Sequence, residues 1–270
     1  MAGIFVSMTG WLGARLSRYL SQPSGGDGAA LPTDPGKLMA CLQPGDVLLV
    51  EGKARISVAI KYLTQSTWSH AALYAGDVTG LADADGSPRC FLEANLQEGV
   101  RAVSVSEYEG LHCRVCRPVG LGVAEIDTVI EFVKARLGYQ YDLKNVFDLV
   151  RYLLPTPPVP TRWRRRMLAL GSGDPTRAIC STLIAQAFQS VSYPILPVVE
   201  SIAFEGPDCS PCVKEMLYVR HHSLFVPRDF DVSPYFAIIK PTLAAGFDYR
   251  ALAWHESHAQ PALPMVARRW

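Results

Sequence analysis

Short apolar runs separated by turn-forming residues dominate the chain between residues 46 and 117. Five segments have the length and side-chain pattern of strands, at 46–50, 70–76, 90–96, 99–108 and 111–118. The stretch between the second and third segments is rich in Gly, Asp and Pro, which predicts a loop. Because the strands are grouped rather than alternating one by one with helices, the pattern favours an antiparallel sheet.

Helical spacing recurs in three places. It is clearest over residues 123–138, where Gly138 suits the C-terminal cap. The apolar face of that helix is formed by Val123, Ile126, Ile130, Val133 and Leu137. Residues 180–190 and, less regularly, 56–65 have the same spacing. Residues 193–212 are predicted to be irregular and 235–241 to be a strand, so the chain is predicted to be an α+β domain, an antiparallel sheet packed against helices.

Composition divides the chain into four parts. Residues 1–22 are basic and amphipathic, which predicts a helix, and the Gly-, Pro- and Ser-rich residues 23–41 predict a linker. The main domain is predicted over 42–241, a length that suits one elaborated domain. Residues 242–270 mix polar and apolar side chains with Pro, which predicts a loosely attached C-terminal tail.

Two basic segments are candidates for peripheral membrane contact. The helix predicted over 1–22 could place its apolar face on a membrane surface or dock on its own domain. The run Arg162–Arg166 surrounds a tryptophan and could bind anionic headgroups or an acidic substrate, although such a run is ordinarily a solvated helix face. Both segments keep a membrane-proximal substrate open.

Composition limits which binding partners and which cellular compartment are expected for the protein. The chain has 26 basic and 25 acidic residues and a net charge of +1, and it contains no phosphate-binding Gly loop or nucleic-acid module, so no nucleic acid is expected. Seven cysteines spread over 270 residues favour a reducing compartment. With neither a secretory signal nor an apolar run long enough to span a bilayer, a cytoplasmic or peripheral-membrane location is expected.

Cys180 is a candidate nucleophile because it lies at the start of a predicted helix. The unpaired backbone N–H groups and the positive end of the helix dipole favour a thiolate there. The same N–H groups could hold the oxyanion of a tetrahedral intermediate. A buried structural cysteine is the alternative.

His70 and Glu93 are ionisable residues on two otherwise apolar predicted strands. Burying a carboxylate costs free energy unless the group is paired, so the two side chains could form a hydrogen-bonded pair. Glu93 would then fix the tautomer of the imidazole, and the other ring nitrogen could accept a proton from a cysteine. Asn95 lies on the same face of its strand and is a weaker alternative to Glu93, and a structural His–Glu pair is equally compatible with the pattern.

Six motifs in this order resemble a known family. They are LQPGDVLLVEG, STWSHAALYAG, FLEANLQEGV, LGYQYD, AICSTLIAQAF and RDFDVSPYFAIIKP, and they extend from about residue 42 to 241. Together they resemble the permuted papain-like amidases of the YiiX/YaeF type, relatives of the NlpC-type peptidases and of lecithin:retinol acyltransferase. The resemblance implies a circularly permuted papain-like fold in which the histidine strand precedes the cysteine helix.

The same resemblance implies roles for individual residues. His70 corresponds to the general base, Glu93 to the residue that orients it, and Cys180 to the nucleophile that forms an acyl-cysteine. Triads are recognised by geometry rather than by chain order, so the inverted order is no objection. Tyr141 resembles a family tyrosine near the site and could support the oxyanion or pack against the pocket. The pattern needs no cofactor and no metal.

A structural zinc site was the other constellation that the cysteines allow. Cys113 with Cys116 and Cys209 with Cys212 form two CxxC pairs. Alternation along a strand points the first two cysteines to opposite faces, which argues against a shared metal. His112, His221 and His222 have no metal-motif spacing and are expected on the surface or in loops.

The sequence therefore predicts a cysteine hydrolase that cleaves an amide or ester acyl bond, with a membrane acyl lipid or a peptide amide as substrate. The basic amphipathic start and the Trp-Arg segment favour the lipid. Two alternatives remain at this point: a lipid acyltransferase on the same scaffold, and a non-catalytic ligand-binding module in which Cys180 is a buried thiol. Selective reaction of Cys180 with an electrophile would separate a catalytic thiolate from a structural thiol.

Overall fold

The computed structural model describes residues 22, 31–77, 79–95, 98–140, 179–206 and 209–251, without the side chains of 59, 63, 179 and 203–213. The predicted N-terminal helix, apart from residue 22, lies outside the described residues. So do Tyr141, Arg162–Arg166 and the tail beyond residue 251. The predictions made for those segments, and the domain boundaries drawn from composition, stay predictions.

A six-stranded sheet forms the centre of the described part of the chain. The strands are β1 (Val47–Glu51), β2 (His70–Tyr74), β3 (Phe91–Asn95), β4 (Gly99–Val103), β5 (His112–Pro118), β6 (Val198–Gly206), β7 (Cys209–Tyr218) and β8 (Phe236–Ile239). The sheet has the order β4-β3-β2-β1-β5-β8, and β6 pairs with β7 in a separate hairpin. Every pair of neighbours is antiparallel, which confirms the predicted antiparallel sheet.

Helices lie on both faces of this sheet. They are α1 (Pro35–Cys41), α2 (Arg55–Thr64), α3 (Val123–Lys134), α4 (Ile179–Ser190), α5 (Pro227–Asp231) and α6 (Pro241–Ala244), with short 3₁₀ helices at Val105–Tyr108, His222–Leu224 and Tyr249–Ala251. None of the helices in the described part of the chain is long and apolar enough to cross a bilayer.

The larger core lies where α3 and α4 pack on one face of the sheet. Alternate strand residues such as Leu49, Leu73 and Leu92 meet the apolar stripes of the two helices there. Phe188 of α4 is fully buried in this core. A second, smaller core lies on the opposite face, under α1 and the 3₁₀ helix Val105–Tyr108. The sheet is therefore covered on both faces over its central strands.

Helix α1 lies within the stretch that composition predicted as a linker. Asp34 caps it by accepting a 2.8 Å hydrogen bond from the backbone N–H of Lys37, and Pro35 occupies the first turn, where a missing N–H costs nothing. Leu38 then reaches the smaller core and is buried. The structure thus places an ordered, docked helix at the C-terminal end of the predicted linker.

The β6–β7 hairpin corrects the prediction that residues 193–212 are irregular. Cross-strand pairs run from Val198–Tyr218 to Gly206–Cys209. Val198 and Tyr218 on one face, and Val199 and Leu217 on the other, all keep about half of their surface exposed. Because both faces carry exposed apolar side chains, the usual alternation of buried and exposed positions is missing, and the prolines then favoured an irregular prediction.

Candidate active site

Cys180 lies in the first turn of α4, on the stripe that faces the sheet. It precedes Leu183 and Ile184 by three and four positions, and both are buried in the larger core. The cysteine itself is 5% exposed. The hydroxyl of Ser181 donates a 2.7 Å hydrogen bond to the carbonyl of Phe225, which holds the start of the helix in place.

His70 is the first residue of β2, next to the point where the strand enters the sheet. It pairs with Val50 of β1, and the backbone N–H of Ser69 donates to the Val50 carbonyl at 3.1 Å. Two residues earlier, the Trp68 indole donates a 2.9 Å hydrogen bond to Asp231 of α5. These two hydrogen bonds hold the start of the strand in place. The imidazole keeps 24% of its surface exposed.

Glu93 of β3 connects directly to this histidine. Its side chain is 2% exposed, and its Oε2 lies 2.7 Å from Nε2 of His70. The predicted His–Glu pair is therefore present. Asn95, the alternative on the same strand face, accepts a 2.6 Å hydrogen bond from the backbone N–H of Glu98 in the turn to β4.

Two further residues complete the shell of Glu93. The Nε and Nη2 atoms of Arg101 lie 2.9 and 2.7 Å from Oε1 of the carboxylate. The hydroxyl of Tyr108 donates to Oε2 at 2.8 Å. The buried carboxylate is thus paired and hydrogen-bonded at both oxygens, as a buried charge requires.

Cys180 and His70 contact each other, and their pKa values move in opposite directions. Burial opposes ionisation of the Cys180 thiol, but His70 outweighs burial and lowers the pKa of the thiol below 9.0. The backbone N–H groups of Ala71 and Ser181 also donate to the sulfur. Burial would lower the pKa of His70, but Glu93 and Cys180 raise it well above 6.5. Both shifts favour a thiolate beside an imidazolium.

The carboxylate keeps its charge in this setting. Burial alone would raise the pKa of Glu93, but His70 and Arg101 lower it to about 2. Burial and the neighbouring Glu93 raise the pKa of Tyr108 well above 10.0, so its hydroxyl stays a donor. Glu93 is therefore an ionised acceptor at neutral pH.

Arg101 was missed at the level of sequence, although a signal for it exists. Three residues separate Asn95 from Gly99, and a hairpin of that length pairs those two residues, which puts Glu93 opposite Arg101. Gly99 has a φ of 74°, and a side chain there would collide with the carbonyl of Tyr139. Tyr108 lies in the 3₁₀ helix after β4, and no sequence period points to it.

The CxxC pair of β5 is divided between the two faces of the sheet, as alternation predicts. Cys113 belongs to the smaller core and Cys116 to the larger one. Burial raises the pKa of Cys113 to about 12 and the pKa of Cys116 higher still. Cys209 and Cys212 lie in β7, and their side chains are outside the description. Within the described ranges, no three His, Cys, Asp or Glu residues are grouped so that they could hold a metal ion.

Comparison with known proteins finds a family model that matches part of the chain. Residues 41–152 match the model of the permuted papain-like amidase enzymes, the YaeF/YiiX, C92 family. Among solved structures, the chain is similar to the crystal structure of metalloprotein yiiX from Escherichia coli O157:H7, with 17% sequence identity, 73% of this chain and 96% of that chain covered, and a TM-score of 0.41. No curated protein matches the chain.

Proposed function

Since residues 41–152 match the model of the permuted papain-like amidase family, we propose that this chain is a cysteine hydrolase that cleaves an acyl bond. In this proposal Cys180 is the nucleophile, His70 is the base and Glu93 is the residue that orients the base. The matched segment contains His70 and Glu93, whereas Cys180 follows it. The assignment of the nucleophile therefore depends on geometry.

The observation that carries the proposal is the contact between Cys180 and His70. Of the five described free cysteines, four have a raised pKa and Cys180 has a lowered one. A buried thiol without a cationic neighbour would be inert. A lowered thiol pKa beside an imidazole that is itself hydrogen-bonded to a carboxylate supports a nucleophilic role.

In the first half of the reaction, the Cys180 thiolate attacks the acyl carbonyl carbon and a tetrahedral oxyanion forms. Backbone N–H groups at the start of α4 are suited to stabilise that oxyanion. Because Nε2 of His70 faces Glu93, Nδ1 is the nitrogen on the Cys180 side. The Nδ1–H gives its proton to the leaving amine or alkoxide, the bond to the leaving group breaks, and an acyl-cysteine remains.

In the second half, a water molecule replaces the leaving group. His70, now neutral, accepts a proton from the water as its oxygen attacks the acyl-cysteine. The second tetrahedral intermediate collapses, the carbon–sulfur bond breaks, and the acid product leaves with Cys180 restored as thiolate. The thiolate and the imidazolium regenerate the starting pair, so protons balance over the cycle.

We propose an amide or ester as the bond cleaved, in a peptide amide or a membrane acyl lipid. The description of the family as amidases supports the amide. The basic segments 1–22 and Arg162–Arg166 support a membrane-proximal substrate. The chemistry of a thiolate–imidazolium pair serves both substrates.

The test is to incubate the wild-type protein and Cys180→Ala with phospholipids, acyl thioesters and murein peptides and to record intact masses. We expect an acyl adduct that maps to Cys180 and is missing from the variant. A lipid-derived adduct selects the lipid and a peptidyl adduct selects the amide. Transfer of the acyl group to an added amine in preference to water selects the acyltransferase. No adduct, no turnover and a Cys180 inert to electrophiles would overturn the proposal in favour of a ligand-binding module.

A further inference from the structure

The two oxygens of Glu93 are divided between different partners. Oε1 receives two nitrogens of Arg101, at 2.9 and 2.7 Å, from the residue directly opposite on β4. Oε2 faces Nε2 of His70 at 2.7 Å and the hydroxyl of Tyr108 at 2.8 Å. A carboxylate whose two oxygens are occupied in this way has one orientation, and that orientation fixes the imidazole.

Arg101 is itself held on the side away from the histidine. Its Nη1 lies 3.0 Å from Glu98, and its Nη2 lies 2.6 Å from Glu107 of the 3₁₀ helix. The guanidinium therefore joins β3, β4 and the 3₁₀ helix through three carboxylates. Its planar fork suits several acceptors in one plane, which a lysine cannot match. The side chain is 23% exposed, so this charge is only partly screened by solvent.

We propose that Arg101 is a positioning residue of the active site. It occupies Oε1 of Glu93, so that Oε2 is the oxygen that binds His70. Its positive charge also stabilises the Cys180 thiolate. This inference rests on the proposed function. Arg101 touches neither reacting atom and acts through the carboxylate. Without it, Glu93 could rotate toward solvent and the local positive potential would fall.

The charged groups around Cys180 and His70 determine the direction in which loss of Arg101 shifts the pKa of the thiol. Behind the Cys180–His70 contact lie the anions Glu93, Glu98 and Glu107, the neutral Tyr108 and the cation Arg101. Loss of the cation makes the electrostatic potential around the pair more negative. Both that change and a misplaced imidazole disfavour the thiolate, so the acid limb of thiolate formation should move to higher pH.

A matched control exists on the other side of the sheet. Arg114 is exposed to a similar extent, 28%, and Asp231 lies 2.7 Å from its Nη1. An aromatic residue, Trp68, donates to that same carboxylate. Replacement of Arg114 by Gln removes the same charge and a similar ion pair, but it leaves Glu93 and its partners intact.

The experiment measures the alkylation rate of Cys180 by iodoacetamide from pH 4 to 10, followed by peptide mass spectrometry, in wild type, Arg101→Gln and Arg114→Gln. We expect the acid-limb midpoint of Arg101→Gln to rise by about 0.5 to 1 pH unit, with an unchanged rate on the alkaline plateau. Arg114→Gln should keep the wild-type midpoint. A purely structural role for Arg101 would lower stability without moving the midpoint.

The outcomes separate this inference from the proposed function. If the alkylation rate of wild-type Cys180 has no acid-limb midpoint below pH 9.0, the proposed function and the role of Arg101 are both overturned. If the wild type has that limb and Arg101→Gln titrates like Arg114→Gln, only the role of Arg101 is overturned. Should Arg101→Gln not fold, Arg101→Lys compared with Arg114→Lys carries the same test at a smaller expected shift, because a lysine keeps the charge and loses the fork.

Discussion

Two clusters of similar composition pack against the sheet and differ in what their histidine touches. The site cluster consists of Arg101, Glu93, Tyr108 and His70, and the anchor cluster consists of Arg114, Asp231, Trp68 and His112. In each, an arginine pairs with a carboxylate at 2.7 Å, and an aromatic residue donates to that carboxylate at 2.8 or 2.9 Å. An ion pair and an aromatic donor are thus common to both clusters.

The histidines separate the two clusters. Nε2 of His70 meets the carboxylate at 2.7 Å, and the ring contacts Cys180. The ring of His112 instead stacks on Trp68 with centroids 5.3 Å apart, and its Nδ1 bonds to the Leu31 carbonyl. Of these two clusters, the site cluster is the one in which an imidazole links the carboxylate to a cysteine. The anchor cluster instead fastens α5 and the start of β2 to β5.

The largest effect is expected from replacing Cys180, which contacts the histidine of the site cluster. We expect Cys180→Ala to lower turnover by about 10³-fold or more, because the variant lacks the thiol that forms the acyl intermediate in the proposed mechanism. Cys116→Ala is the control, since Cys116 is also buried in the larger core but has a raised pKa. Turnover assays on folded protein decide the matter, and a Cys180→Ala enzyme with wild-type rates would remove Cys180 from the mechanism.

The next effect concerns the carboxylates. Glu93→Gln keeps the size of the side chain but cannot stabilise the imidazolium, so we expect kcat to fall by about 10²-fold or more. Asp231→Asn should lower the melting temperature and leave kcat close to wild type, because the carboxylate of Asp231 pairs with Arg114 and Trp68 and not with His70. Equal losses of kcat in both variants would show that Glu93 acts through the fold and not through His70.

A smaller effect is expected at the aromatic donors. Tyr108→Phe keeps the edge-on packing against Phe91 and removes one hydrogen bond to Glu93. A loss of about 1 kcal/mol in orienting the carboxylate corresponds to about fivefold in kcat. Trp68→Phe removes the matching donor of the anchor cluster and should lower stability alone. The comparison would fail if the two variants lost kcat to the same degree.

The last expected effect is on the pH dependence of stability and not on turnover. Glu93 has a pKa of about 2 in the folded protein against an ordinary value of 4.5. Its ionised form therefore stabilises the fold above about pH 4.5, and that contribution is lost as the pH falls from 4.5 toward 2. In thermal unfolding, the melting temperature of Glu93→Gln should lie furthest below that of the wild type near pH 7, and the difference should become smaller in acid. Glu131→Gln, a surface partner of Lys134, should match the wild type throughout.

Much of the fold could be predicted because local patterns and tertiary packing agree. The strands of His70 and Glu93 are short apolar runs that the sheet buries on both faces, and the helix of Cys180 has an apolar stripe that packs in the larger core. The β6–β7 hairpin was missed because neither of its faces is uniformly buried. Helix α1 was missed because a Pro- and Gly-rich composition outweighed one capping aspartate and one buried leucine.

The site could be predicted in part for the same reason. Glu93 and His70 stand out because a charge on an apolar strand needs a partner. Arg101 could have been found by counting residues through the β3–β4 hairpin, which fixes its cross-strand neighbour. Tyr108 could not, since a 3₁₀ helix that folds back over the sheet is defined by tertiary contacts. The same limit applies to the Arg114–Asp231 pair, whose members are 117 residues apart.

The most direct test of the central claim is the pH profile of Cys180 alkylation in the wild type and in His70→Ala. If the imidazole sustains the thiolate, the wild type reacts with a midpoint below 9.0, and His70→Ala reacts only at or above that value, because burial then dominates the pKa of the thiol. Identical profiles at or above 9.0 would contradict the account and leave Cys180 as a buried structural thiol.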